Sequence, residues 1–237
     1  MSELEGFKAE AAGAALEHVR SGTIVGLGTG STAAYVIAEL GRRLREGTLL
    51  DVRAVPTSLA TQRAAAAAGI PLVDLPSDGV DVAIDGMDEV TDALDAIKGL
   101  GGALTREKIV AAAARWFVLV GDHTKRVEAL GTRSPVPVEV LGFGLRRTMA
   151  RLADLGAAPE LRLHAGTAYV SDNGHQIVDC TLAAGFDARA FASAAREIPG
   201  VVEHGLFLAM AHFAYVSGPD GVDRIERVRT ADATVTS

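Results

Sequence analysis

Cysteine is nearly absent: Cys180 is the single one in 237 residues. One thiol cannot form a disulfide framework within the chain, which suits a reducing cytosol. Inside the strand-like "HQIVDC" it reads as a small buried hydrophobe. A surplus of positive charge is missing too. The formal net charge is −7, which argues against nucleic acid or an anionic membrane as partner and still permits a local basic pocket. No long hydrophobic run occurs; the longest, "IVAAAARWFVLV", is interrupted by Arg115 and is too short to span a bilayer. The opening "MSELEGFKAEAAGAALEHV" mixes acidic residues with helical periodicity, unlike a signal peptide or an Arg-rich transit peptide. The expectation is a soluble cytoplasmic protein without repeats or low-complexity linkers.

What is present is a core: 49% of the residues are hydrophobic, which excludes the disordered class. Helix and strand signals alternate through the first half. Residues 3–20 have the pattern of an amphipathic helix, "TIVGLG" of a buried strand and "STAAYVIAELGRRLREG" of a helix closed by glycine. The strand "DVRAVP", the helix "SLATQRAAAAAG" and the short strands "PLVDL" and "VDVAID" follow. After the loop "KGLGGAL" come the helix "TREKIVAAAAR" and the strand "WFVLVGD". Such alternation predicts a parallel sheet covered on both faces. Near "GTRSPVPVEV" the prolines mark a boundary. Beyond it two helices, 143–156 and 187–200, intersperse antiparallel strands at "ELRLH", "AYVSDNGHQIVDC" and "GVVEHG", with "DNG" as a hairpin turn. The apolar segment from Leu206 to Val228 is expected to return to the first sheet. The fold class is therefore α/β, a Rossmann-like sheet with a smaller α+β unit inserted before the C-terminal segment.

Between the first strand and its helix lies "VGLGTGST". Backbone N–H groups at a helix N-terminus favour phosphate, Gly28 and Gly30 allow close approach, and Thr29, Ser31 and Thr32 add hydroxyls. It is not a dinucleotide fingerprint, since the third glycine would fall at Ser31. The second strand also ends in "AVPTS", without the acidic residue that holds a ribose. No Gly-Lys-Ser/Thr follows, so it is not a Walker loop. A plain strand-to-helix turn capped by Ser31 or Thr32 remains the alternative.

A second cluster sits in "VAIDGMDEV", where Asp85, Asp88 and Glu89 crowd at the carboxyl end of a parallel strand, the edge where open α/β sheets bind ligands. A solvated acidic turn and a magnesium site are both open on these residues alone. In the next glycine-rich loop Lys98 supplies an ammonium that can take the cation's position. Thr105 is placed to cap the following helix, putting Glu107 in its first turn, where a dipole-complementing glutamate is the simpler account. Lys125 lies past the end of another strand, in "GDHTK". None of the six histidines has a metal-ligand spacing, and no Ser-His-Asp or cysteine nucleophile is apparent.

Taken in order, "GLGTGST", "PTS", "DGMDE", "KGLGGALTREKIV", "DHTK" and "GPDGV", supported by "IPGVVEHGLF", resemble the type A family of ribose-5-phosphate isomerases. The resemblance covers nearly the whole chain. It implies interconversion of ribose 5-phosphate and ribulose 5-phosphate, without metal or organic cofactor, by a homodimer or homotetramer. It implies a catalytic domain of residues 1–130 and 206–237, and a small domain, 131–205, serving oligomerisation. Carried over by motif, Glu107 is the base, with Asp85 and Lys98 assisting ring opening. Thr29, Gly30, Ser31 and Thr32, with Lys125 and Lys8, are expected at the phosphate; Asp85, Gly86, Met87, Asp88, Lys98, Gly99, Leu100 and Gly101 are expected at the sugar. Met87 stands where alanine is usual and Leu100 where glycine is common. A non-catalytic sugar-phosphate sensor and a magnesium-dependent phosphotransferase using Asp85, Asp88 and Glu89 are the competing readings.

Overall fold

The computed structural model describes residues 2–183 and 185–227. The part of the expected C-terminal segment at 228–237 lies outside the described residues. Along the chain run α1 (Glu3–Ala15), β1 (Ile24–Leu27), α2 (Ser31–Arg45), β2 (Arg53–Pro56), α3 (Leu59–Ala67) and β3 (Val80–Gly86). Next come β4 (Glu89–Val90), β5 (Ala96–Ile97), α4 (Leu104–Ala112), β6 (Ala114–Asp122), β7 (Val136–Val140), α5 (Leu145–Asp154) and β8 (Ala158–Leu161). The rest are β9 (Leu163–His164), β10 (Thr167–Ala168), β11 (Gln176–Thr181), α6 (Ala188–Arg196), β12 (Val201–His204), β13 (Leu206–Phe207), β14 (Phe213–Gly218) and β15 (Gly221–Glu226).

The large sheet has the order β15-β14-β6-β3-β1-β2, parallel except for the antiparallel edge strand β15. Period-2 side chains divide its core. Val82, Ile84, Val118 and Val120 pack with α1 and α2 on one face, while Ala83, Phe117 and Leu119 pack with α4 on the other. Burial on both faces is why these strands read as continuous apolar runs. The chain leaves β1 towards β2 and then crosses back to β3 on β1's other side. The loops after β1 and β3 therefore diverge at a switch point, where open sheets leave a crevice.

Strands β7, β8, β11 and β12 form an antiparallel sheet in the order β12-β7-β11-β8. With α5 and α6 the chain order is β-α-β-β-α-β, the ferredoxin-like arrangement. Its own core gathers Val136, Val138, Leu152, Val178, Cys180 and Phe191. Asp187 caps α6 by accepting from the Arg189 and Ala190 N–H groups.

Several expectations are corrected. The segment "PLVDL" is not a strand: only Leu72 bridges to Ala54, because Pro71 lacks the N–H a ladder needs. The proline-marked stretch contains β7, an inner strand; Pro137 is tolerated where β12 has stopped pairing, and its carbonyl accepts from Gly205 N–H at 2.7 Å. The hairpin at "DNG" shrinks to one bridge, Val170 with Gln176, since β11 pairs instead with β7 and β8. Helix α1 ends at Ala15 and passes into a short 3-10 turn, Leu16–His18. The small sheet of β13, β5 and β4, with two residues in each strand, was not anticipated.

Candidate active site

Loops from three parallel strands converge at the switch point. After β1, Gly28 runs against Asp85 so closely that a Cβ on it would lie 2.0 Å from Asp85 Oδ1. Thr29 N–H donates to that same oxygen at 3.0 Å. Behind it, Thr57 and Thr61 hydroxyls lie 2.8 and 3.2 Å from Thr29 Oγ1 and donate to the Leu27 and Gly28 carbonyls. Gly30 then takes φ 110° and serves as N-cap of α2. No side chain caps this helix, so the alternative of a plain turn capped by Ser31 or Thr32 is not what forms, and its first N–H groups stay available to an anion.

The acidic turn after β3 separates into three fates. Asp85 is buried beside Lys98. Asp88 lines the cavity and accepts the Leu100 N–H at 2.9 Å. Glu89 faces away, fully buried, and accepts backbone N–H bonds from Gly131, Arg133 and Ser134 at 2.6–2.7 Å. It anchors the chain between β6 and β7, so the metal reading built on three clustered carboxylates loses one of them. Among the described residues no group of three or more His, Cys, Asp or Glu is arranged to hold a metal ion.

Lys98, 2% exposed, stands at the centre. Its Nζ lies 2.6 Å from the Gly86 carbonyl, 3.0 Å from Asp85 and 3.3 Å from Glu107. Burial opposes its charge, but the carboxylates of Asp85, Glu107 and Asp88 outweigh burial and hold its pKa above the ordinary value. Glu107, 3% exposed, projects from the first turn of α4. Burial first, then the neighbouring Asp85 charge, push its pKa up to about 8 against the pull of Lys98. The helix terminus does not win this contest. Asp85 is also raised, by burial, with Lys98 opposing. Thr105 is not the cap of α4: the helix starts at Leu104 with Ala103 at the N-cap, and the Thr105 hydroxyl donates to buried Glu139.

A cavity of about 90 Å³ is lined by Thr29, Gly30, Ser31, Thr32, Gly86, Met87, Asp88, Lys98, Gly99, Gly101, Glu107 and Lys125. Of the residues expected from sequence, Asp85 lies just behind this wall. Leu100 sits outside, its side chain 41% exposed. Lys8 is also outside the lining, its ammonium held by Glu5 at 2.6 Å. A wider depression of about 690 Å³ beside β2 and α4 has only Asp74 and Arg106 as ionisable lining groups. The chemistry is concentrated in the smaller cavity. Sequence motifs gave no sign of Arg162, which reaches across from the smaller sheet to the Gly99 and Leu100 carbonyls at 3.0 and 2.9 Å.

The family model described as ribose 5-phosphate isomerase A (phosphoriboisomerase A) matches residues 53–221. The chain belongs to this family. It is 49% identical over 222 residues to the ribose-5-phosphate isomerase A of Roseiflexus castenholzii, covering 93% of this chain and 95% of that one. With the enzyme of the same name from Deinococcus radiodurans the identity is 45% over 225 residues, 95% and 100% of the two chains. The solved ribose 5-phosphate isomerase from Plasmodium falciparum superposes with a TM-score of 0.92 at 34% identity, covering 94% of this chain and 99% of that one. The family match at 53–221 spans β3, the Lys98 loop, α4 and the smaller sheet, and the superposition with the Plasmodium falciparum structure extends over 94% of the chain.

Proposed function

We propose that this chain interconverts D-ribose 5-phosphate and D-ribulose 5-phosphate by proton transfer through an enediolate. The observation that carries the proposal is a buried carboxyl with raised pKa, Glu107, sharing one small cavity with the Lys98 ammonium and an uncapped helix N-terminus. A base that titrates near neutrality is matched to abstracting the proton α to a carbonyl. Asp85 and Lys98, in contact at 3.0 Å, pass a proton between the ring oxygen and the C1 hydroxyl, opening the furanose. Glu107 as carboxylate then takes the C2 proton of the aldehyde, leaving an enediolate with charge on O1. The O2 hydroxyl proton passes to O1 and Glu107 returns its proton to C1, giving the ketose. Lys98 and loop N–H groups stabilise the transient charge. Thr29–Thr32 and Lys125 hold the phosphate and so fix the reacting end. Lys8 completes this phosphate shell only if its pairing with Glu5 opens, and Leu100 shapes the rim. Asp88 accepts from sugar hydroxyls.

The same reading divides the chain into a catalytic unit, 1–130 with 206–237, and an assembly unit, 131–205. Support comes from the core cluster centred on the smaller sheet, which also takes in Ile97, Val127, Leu130 and Leu206 from the catalytic unit, and from the exposed apolar side chains Phe143, Leu163 and Val170. A homodimer or homotetramer built through this unit, working in the cytoplasm, is the expected form. Among the described residues no helix is long and apolar enough to cross a membrane.

The test is incubation with ribose 5-phosphate in the presence of EDTA, following ketose absorbance, with wild type beside Glu107→Gln. Turnover in chelator with a loss of about 10²–10⁴ in the variant supports the mechanism. Binding without turnover points to a sensor, and loss of wild-type activity in EDTA points to metal-dependent chemistry.

A further inference from the structure

Arg162, in the link between β8 and β9, has its side chain only 12% exposed and its guanidinium engaged on both sides. Nε donates to Asp179 Oδ2 at 2.8 Å and Nη2 donates to Oδ1, the bidentate fork that gives arginine its geometric specificity. Asp179 sits on β11, an inner strand of the smaller sheet, so the fork has a rigid base. The remaining nitrogen, Nη1, donates to the carbonyls of Gly99 and Leu100 at 3.0 and 2.9 Å. Tyr169 lies beside the guanidinium, its ring centre 5.9 Å away, and its hydroxyl donates to the next carbonyl, Gly101, at 3.4 Å. Three successive carbonyls of the Lys98 loop are therefore drawn to one side by residues from outside the large sheet.

In a trans peptide the C=O and the following N–H point in opposite directions. The Gly99–Leu100 unit shows the consequence: its carbonyl meets Arg162 while its N–H meets Asp88 Oδ2 at 2.9 Å. In the Leu100–Gly101 unit the carbonyl also meets Arg162, so the Gly101 N–H is turned away from it. That N–H has no acceptor among the described residues, and Gly101 lines the cavity. Within the loop the Gly102 N–H donates to the Gly99 carbonyl at 2.9 Å, closing a turn whose central peptide, Leu100–Gly101, is the one that can flip; the flanking glycines leave that peptide little intrinsic preference.

We propose that Arg162 is a positioning residue for the isomerisation: anchored on Asp179, it orients the two peptide units so that Leu100 N–H fixes Asp88 and Gly101 N–H faces the substrate as a ready donor. The inference rests on the isomerase reading, and its effect is on the transition state rather than on phosphate capture. A donor preorganised toward developing negative charge is worth far more than one that must first be oriented.

The test compares wild type with Arg162→Ala and Arg162→Lys. It measures kcat and KM with ribose 5-phosphate, thermal unfolding, and amide hydrogen exchange at residues 99–102. The alanine variant is expected to lose about 10- to 100-fold in kcat with KM changed less than about threefold, the scale of a small misplacement of reacting groups. The lysine variant keeps the charge beside Asp179, but its point ammonium cannot hold a carboxylate and two carbonyls together. It should melt near wild type, yet keep the kcat defect and the faster exchange at residues 99–102. A purely structural role would lower the melting temperature and leave kcat per folded molecule, and loop exchange, unchanged; that result overturns the proposal. Should the alanine variant not fold, the lysine variant decides, and kcat within about twofold of wild type with unaltered exchange overturns it. Absence of turnover in the wild type counts against the isomerase reading, while exchange at residues 99–102 still decides the clamp.

Discussion

Lys98 Nζ and Glu107 Oε2, both buried at the wall of the cavity, lie 3.3 Å apart, yet the contact is too poorly directed to make a good hydrogen bond. The ammonium instead donates to the Gly86 carbonyl and faces Asp85. Glu107 thus receives the cation's field through a poorly directed contact, and the pull of Lys98 does not prevent its pKa from being raised. A carboxyl so placed remains a competent base when it ionises.

The pH dependence of turnover follows from this. With Glu107 free of ligand its pKa is about 8. The ionised fraction, and with it kcat/KM, rises with pH and levels off above that value. Sugar hydroxyls donating to the carboxylate favour its charged form, so the bend in kcat should lie at lower pH than the bend in kcat/KM. Titration of the substrate phosphate, near about 6, is separate. A kcat/KM profile already flat from pH 6 upward would remove Glu107 as the titrating base.

Stability should move the other way. An ordinary glutamate titrates near 4.5, so the unfolded chain loses this proton early while the folded protein keeps it up to about 8. Across that window the folded state binds more protons, and stability therefore falls as pH rises from about 4.5 to about 8. Glu107→Gln lacks the titration. Thermal unfolding from pH 5 to 9, without phosphate, should show the variant gaining on wild type as pH increases. A constant difference across the range would contradict the burial argument.

Sequence pattern reached the strand-helix alternation because both faces of the large sheet are buried and its helices are regular. It also singled out the glycine loop and Lys98, whereas spacing alone made Glu107 a dipole-complementing residue and only the family resemblance marked it as the base. It could not sort Asp85, Asp88 and Glu89, which look alike in one acidic turn. Only contacts 42 to 45 residues away make Glu89 a backbone anchor. Thr105 has the residue type of a cap but points to Glu139, a partner on another sheet. Arg162 meets its carbonyls 62 and 63 residues away, beyond any local motif. Two-residue strands such as β4, β5 and β13 are too short to show periodicity at all.

Glu89 gives a prediction about the fold alone. Its carboxylate accepts three backbone N–H bonds while fully buried. Glu89→Ala leaves three donors without acceptors and should cost about 3 kcal/mol or more, read by urea unfolding. Glu89→Gln should cost less. Its amide oxygen can still take the Arg133 and Ser134 N–H groups that Oε1 holds, while its NH2 confronts only the Gly131 N–H. If the two variants were equally stable, the backbone cage would not be what holds this segment.

Gly28 and Gly30 separate two jobs of one loop. At Gly28 a Cβ would fall 2.0 Å from Asp85 Oδ1 and 2.5 Å from Asp85 Cα. Because the second contact is backbone, no rotamer change relieves it, and the ends of β1 and β3 must part. Asp85 then shifts against Lys98, so Gly28→Ala should lower kcat by on the order of 10², the penalty for misplacing reacting groups by about 1 Å. At Gly30 a Cβ meets open space, but φ is 110° with extended ψ, a region essentially reserved for glycine. Gly30→Ala should therefore cost about 1–3 kcal/mol of local strain. The loop can shed that strain by re-forming away from the α2 N-terminus. The loss then appears in KM, through weakened phosphate binding, more than in kcat. Steady-state kinetics on both variants distinguishes the two jobs: equal effects on KM and kcat in both would mean that the loop acts as one unit and that the Asp85 contact has no separate catalytic role.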